Sequence, residues 1–108
     1  MDDQILNENG LTELHMAAYH GELDWVIGCL RGGLSAHARD RGGYTPLHWV
    51  VDMGLVGEPS EREAIVEALV EAGADINARD GIGRTALDVA HEAESDYLVQ
   101  RLREHGAI

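Results

Sequence analysis

The chain has 108 residues, room for one domain or a short repeat array. Its formal net charge of −12 repels phosphate backbones and anionic membranes, which disfavours a nucleic-acid or membrane-surface role and favours basic protein surfaces. Apolar residues make up 44% and aromatics only 5%, with no Phe, so small and aliphatic side chains must fill the core, as helices packed in thin layers require.

All the basic residues are Arg. The single cysteine, Cys29, excludes an intramolecular disulfide and fits a reducing compartment. The start, Met1-Asp2-Asp3-Gln4, is acidic with no apolar run behind it, unlike a secretory signal. No window approaches the roughly 20 apolar residues a membrane helix needs. A soluble cytoplasmic protein is the expectation.

Residues 1–8 read as a short lead-in, in which Ile5 and Leu6 can pack on the first helix. Thr12 is placed to cap a helix over about 13–20, with Leu14, Met16, Ala17 and Ala18 on its apolar side and Gly21 as a left-handed stop. Asp24 is placed to cap a second helix over 25–31, with Trp25, Val26, Cys29 and Leu30 as its apolar positions and Gly32-Gly33 ending it. A loop of small and charged residues, 34–43, follows.

The pattern restarts at Thr45, with Pro46 at the first helical position, where its missing N–H costs nothing. Leu47, Trp49, Val50 and Val51 are buried candidates, and Gly54 matches Gly21. An insertion, Leu55 to Ser60, precedes a helix over about 61–72 with a Ser60/Glu63 capping-box pair and an apolar stripe of Ala64, Ile65, Ala68 and Leu69. Gly73 closes it. A third start at Thr85 opens a helix over about 86–93, with Glu94 where the first two units have Gly. Ser95 is placed to cap a last helix, about 96–104, carrying Tyr97, Leu98, Val99 and Leu102, with Arg101 and Arg103 near its electronegative end.

These restarts share one signature. Thr45-Pro46-Leu47-His48 is preceded 33 residues earlier by Thr12-Glu13-Leu14-His15 and followed by Thr85-Ala86-Leu87-Asp88. The chain resembles the ankyrin repeat family, whose helix-opening T-P-L-H recurs about every 33 residues. Glu67 to Asp80 is similar to that family's second helix and β-turn throughout, whereas Gly33-Leu34-Ser35-Ala36-His37-Ala38 departs from its G-A-D-x-N-A. The resemblance implies an all-α solenoid of three stacked helix-turn-helix units, about 9–41, 42–80 and 81–108, joined by β-turn fingers and with an insertion in the second. A single helix pair cannot bury both faces, and about three are needed for stability. Nothing like an N-terminal cap precedes the first unit, so Ile5 and Leu6, a second copy or a partner is expected to cover that end; a monomer or weak self-association follows.

His15 and His48 share a repeat position at which the family uses imidazole to bond neighbouring loops. His20, His37, His91 and His105 lack metal-ligand spacing, so no metal or other cofactor is expected. The carboxylates lie along helix faces, and Glu61, Glu63, Glu67 and Glu71 read as a solvated outer face. Cys29 reads as a small buried hydrophobe, Trp25 and Trp49 as packing, and Gly42, Gly43, Gly81 and Gly83 as turn glycines of positive φ. No catalytic constellation emerges. The resemblance instead implies a groove of inner helix faces and turn tips, with Glu8, Asn9, Leu11, Tyr19, His20, Arg41, Tyr44, Asp52, Met53, Ile82, Arg84 and Glu92 as its contact positions. Arg39, Arg41, Arg79 and Arg84 cluster in or beside the two turns, and Tyr and Met add contact area. The reading is a non-catalytic module binding another protein as adaptor or stoichiometric inhibitor. The alternatives are an immunity- or antitoxin-like protein masking a basic enzyme surface, or a metal-binding or enzymatic protein resting on the six histidines.

Overall fold

A threonine starts each unit, in extended backbone at Thr12 and Thr85. Thr12 and Thr85 sit at φ −104° and −88°, and each hydroxyl accepts the backbone N–H three residues on. Thr45 does the same for His48. The computed structural model describes residues 12–52 and 59–107. Within them lie six helices: α1 (Glu13–His20), α2 (Leu23–Arg31), α3 (Pro46–Asp52), α4 (Pro59–Glu71), α5 (Ala86–Glu92) and α6 (Asp96–Glu104).

The helices form two layers. An inner row packs α1 on α3 and α3 on α5, an outer row packs α2 on α4 and α4 on α6, and each pair closes on itself. The all-α stack of three helix pairs expected from the repeat pattern is therefore present. Buried Ala17, Ala18, Ala86 and Ala90 let the inner helices approach closely, while Leu14, Leu47, Val50, Val51, Ile65, Leu69, Leu98 and Leu102 fill the space between the rows.

Several local expectations need correction. Glu22, not Asp24, precedes α2, and it makes no side-chain cap bond; Asp24 lies in the first turn, where its charge still favours the helix dipole. Helix α4 begins at Pro59, so Ser60 is its second residue and no Ser60/Glu63 capping box forms. The fixed φ of proline suits the first helical position, which extends the helix into the insertion. Gly54, Leu55 and Val56 lie outside the described residues. Trp25 is 36% exposed at the edge of the stack, and Trp49 and Leu30 are half-buried. Fully buried Arg62 had no counterpart in the pattern; it donates to the Val50 carbonyl near the end of α3, and burial lowers its pKa.

The turn after α5 keeps the geometry of the turn after α1. Gly21 and Glu94 both donate to the carbonyl three residues back, and Glu22 and Ser95 both donate five back. Glu94 thereby takes φ 56°, the left-handed region that Gly21 occupies at 69° without penalty. The expected solvated face of α4 also gains one anchor: Glu63 accepts from Arg101 of α6 at 2.8 Å.

Candidate protein-interaction face

The two inter-repeat turns are built alike. Asp40 N–H donates to Tyr44 O, and Asp80 N–H to Arg84 O. One carboxylate oxygen of Asp40 accepts from the Gly42 and Tyr44 N–H groups at 2.9 Å each. Asp80 does the same for Ile82 and Arg84, at 3.0 and 2.9 Å. Gly43 and Gly83 take the positive φ expected of them, 82° and 88°. Gly42 and Gly81 do not. Gly81 is required for space: a Cβ there would lie 2.6 Å from Gly42 O, which accepts the Gly81 N–H at 2.7 Å.

His15 and His48 join each helix pair to the next turn. Nδ1 of each accepts its threonine's N–H at 3.2 Å, so the proton of the neutral ring sits on Nε2. Nε2 then donates to Tyr44 O at 2.8 Å and Arg84 O at 2.9 Å. Burial lowers both imidazole pKa values, outweighing the carbonyl bonds that act upward. Asp88 retains the cap, accepting the Thr85 N–H at 3.0 Å. An ionised carboxylate has no proton with which to bridge to a further carbonyl.

The turn arginines are engaged within the fold. Arg39 donates to Gly43 O at 3.3 Å and to Arg79 O, and Arg79 donates to Gly83 O at 2.9 Å. Arg84 donates to Asp80 at 3.0 Å, Glu92 at 2.7 Å and the Tyr44 hydroxyl at 2.7 Å. The bonds to Asp80 and Glu92 raise its pKa. Burial acts upward on the Asp80 carboxyl, but the N–H bonds of Arg84 and Ile82 and the Arg84 guanidinium together hold it below its usual value.

Beside these turns runs a row of rings. Trp25 lies nearly parallel to His20 at 5.9 Å, His20 is edge-on to Tyr19 at 5.1 Å, and Tyr19 is edge-on to Trp49 at 5.3 Å. Tyr44 continues it, 6.1 Å from Trp49. Each indole N–H has a carboxylate partner, Trp25 with Glu13 at 2.8 Å and Trp49 with Asp40 at 3.0 Å. The tryptophans thus belong to the surface row as much as to the packing expected of them; the signal in the sequence was the need of each indole for an acceptor.

Of the expected contact positions, Tyr19 and His20 end α1, Asp52 ends α3, Tyr44 and Arg84 follow the turns, and Glu92 ends α5. Arg41 and Ile82 stand exposed at the two turn tips, Ile82 at 78%. Arg84 joins Tyr44 to Glu92, and Tyr44 meets Trp49; His20 and Tyr19 join them through the ring row, and Ile82 stands apart. Glu8, Asn9, Leu11 and Met53 lie outside the described residues. Among the described residues, no three His, Cys, Asp or Glu side chains converge to hold a metal ion, and no helix is long and apolar enough to cross a membrane. Cys29 is buried, and burial with the Glu13 charge raises its pKa.

Stacked helix pairs locked by capping boxes and bridged turn to turn define a repeat solenoid. The sequence profile described as "Ankyrin repeats (3 copies)" matches residues 1–80, and the chain belongs to the ankyrin repeat family. Ankyrin repeats generally mediate protein–protein interactions. The chain is 33% identical over 92 residues to the palmitoyltransferase AKR1 of Lachancea kluyveri, covering 85% of this chain and 12% of that protein. It is 39% identical over 79 residues to the ankyrin repeat-containing protein P1E11.10 of Schizosaccharomyces pombe, covering 73% of this chain and 35% of that one. Human Rabankyrin-5 is 38% identical over 106 residues, 94% of this chain and 9% of that protein. The chain therefore spans only a minor part of these relatives.

Proposed function

We propose that the chain is a non-catalytic binding module, with repeats at about 9–41, 42–80 and 81–108, that docks a partner protein along its inner helices and turn tips. The observation that carries this is the contiguous ring row from Trp25 to Tyr44, partly open to solvent, with exposed Asp52 beside it and exposed Ile82 at the second turn tip. Aromatic rings on a rigid scaffold provide contact area with little ordering cost. The sites are held by the fold before any partner arrives. An adaptor or stoichiometric inhibitor in the cytoplasm suits such a module, and the −12 charge favours a partner with a basic surface, including an enzyme masked by an immunity-like protein.

Affinity capture from the source cell, followed by titration of the captured protein, tests this reading. Ile82→Asp with Asp52→Arg is expected to weaken 1:1 binding at least about tenfold, the loss of one or two central contacts. Glu67→Lys, exposed on the outer row, leaves binding unchanged. Higher salt weakens the complex. Equal affinity of all three proteins would move the contact surface elsewhere.

A further inference from the structure

The ring row ends in a corner. Tyr44 and Trp49 meet at 66°, with centroids 6.1 Å apart, and Asp52 completes the lining of a recess of about 70 Å³. That is roughly twice a water molecule's share of the liquid. Trp49 and Asp52 stand three residues apart on one side of α3, and Tyr44 leads into the same helix.

The two aromatic walls are fixed in advance. Trp49 is held by its bond to Asp40. Tyr44 is held at both ends, its hydroxyl by Arg84 and its carbonyl by His15. Asp52 is exposed and makes no ion pair with any described residue. Arg84, 5.8 Å from the Tyr44 ring centre, is paired with both Asp80 and Glu92. With Asp40 and Asp52 added, the sum of these charges is negative. An anion would be repelled, and a neutral alkyl group would strip water from Asp52 without replacing it. A compact cation satisfies all three walls, since aromatic faces attract ammonium groups and the carboxylate neutralises them.

We propose that this recess seats the ammonium group of a lysine side chain from the partner protein. The proposal rests on the interaction-module reading and names its anchor. The partner's positive charge is then read at Tyr44, Trp49 and Asp52, not along the acidic outer face of α4.

The test is NMR titration of the 15N-labelled chain with Nα-acetyl-lysine-N-methylamide, following the Trp49 indole N–H. Its norleucine counterpart, which lacks only the ammonium, and its arginine counterpart serve as comparisons. The expected result is a saturable Trp49 shift with a midpoint in the millimolar range for lysine, and about tenfold weaker response to norleucine. Asp52→Asn, at an exposed helix end, should keep the fold and weaken the lysine response several-fold. Equal response to norleucine, tighter binding of arginine, no saturable shift, or indifference to Asp52→Asn each overturns the proposal. A failed titration with partner capture intact removes the lysine anchor and leaves the module standing. A successful titration with no protein captured at this face supports the recess and removes the module.

Discussion

The two turns share one hydrogen-bond frame and differ in what hangs from it. In both, an aspartate ties two N–H groups with one oxygen. Its second oxygen holds Trp49 in the first turn and the Arg84 guanidinium in the second. The residue that leaves the turn is Tyr44 in one and Arg84 in the other, and these two touch. A repeat frame thus keeps its backbone chemistry constant while the spare oxygen and the exit residue build a surface particular to this chain.

The largest break in this comparison should come from Gly43→Ala. Gly43 combines φ 82° with a Cβ position 2.6 Å from Gly81 N, so we expect a loss of about 3 kcal/mol in urea unfolding. Gly83→Ala is the matched control: φ is 88° with nothing within 4 Å, so only the backbone penalty of about 1 kcal/mol remains. Equal losses at the two glycines would show that contact between turns contributes nothing.

Asp80→Ala should cost about 2 kcal/mol, because it frees two N–H groups and a guanidinium together. Asp40→Ala should cost less, since its third donor is a neutral indole. Urea midpoints of the two variants rank them directly.

Acid acts on the histidine bridges as well as the turns. The native pKa values of His15 and His48 lie below the ordinary 6.5, so the unfolded chain takes up protons first as pH falls. Their contribution is complete above that value and is lost as pH drops through the native values. Asp80 acts the same way further down, below the ordinary 3.8. The urea midpoint should therefore fall between pH 7.5 and 5.5, and replacing both histidines with Asn should flatten that segment even though it lowers the plateau.

Two smaller tests sharpen the picture. Glu94→Gly should raise stability by about 0.5–1 kcal/mol, since Gly21 occupies the equivalent turn without strain. Glu92→Gln should change thermal stability by less than about 0.5 kcal/mol, because its carboxylate is 59% exposed and water screens its pair with Arg84.

What could be read from the residues was local. Thr12, Thr45 and Thr85 announce their helices because a hydroxyl three residues from an N–H is a matter of backbone geometry alone. Ser60 misled for the same reason in reverse: Pro59 beside it competed for the helix start and took it. The imidazole bridges followed from the family resemblance, and the bonds of His15 and His48 agree with it.

The amino-acid order alone determined the period, the threonine caps and helix starts at Thr12, Thr45 and Thr85 and the small-residue core, since each rests on the pattern within a few residues, whereas Asp24, Ser60 and Ser95 form no side-chain cap bond. Only the folded stack decided that Trp25 would stand at an edge, that Arg62 would be buried, and that Tyr44, Trp49 and Asp52 would enclose a recess. Those outcomes depend on which unit lies beside which. The pairing of Tyr44 with Arg84 spans 40 residues and exists because one turn bonds to the next through Gly42 and Gly81.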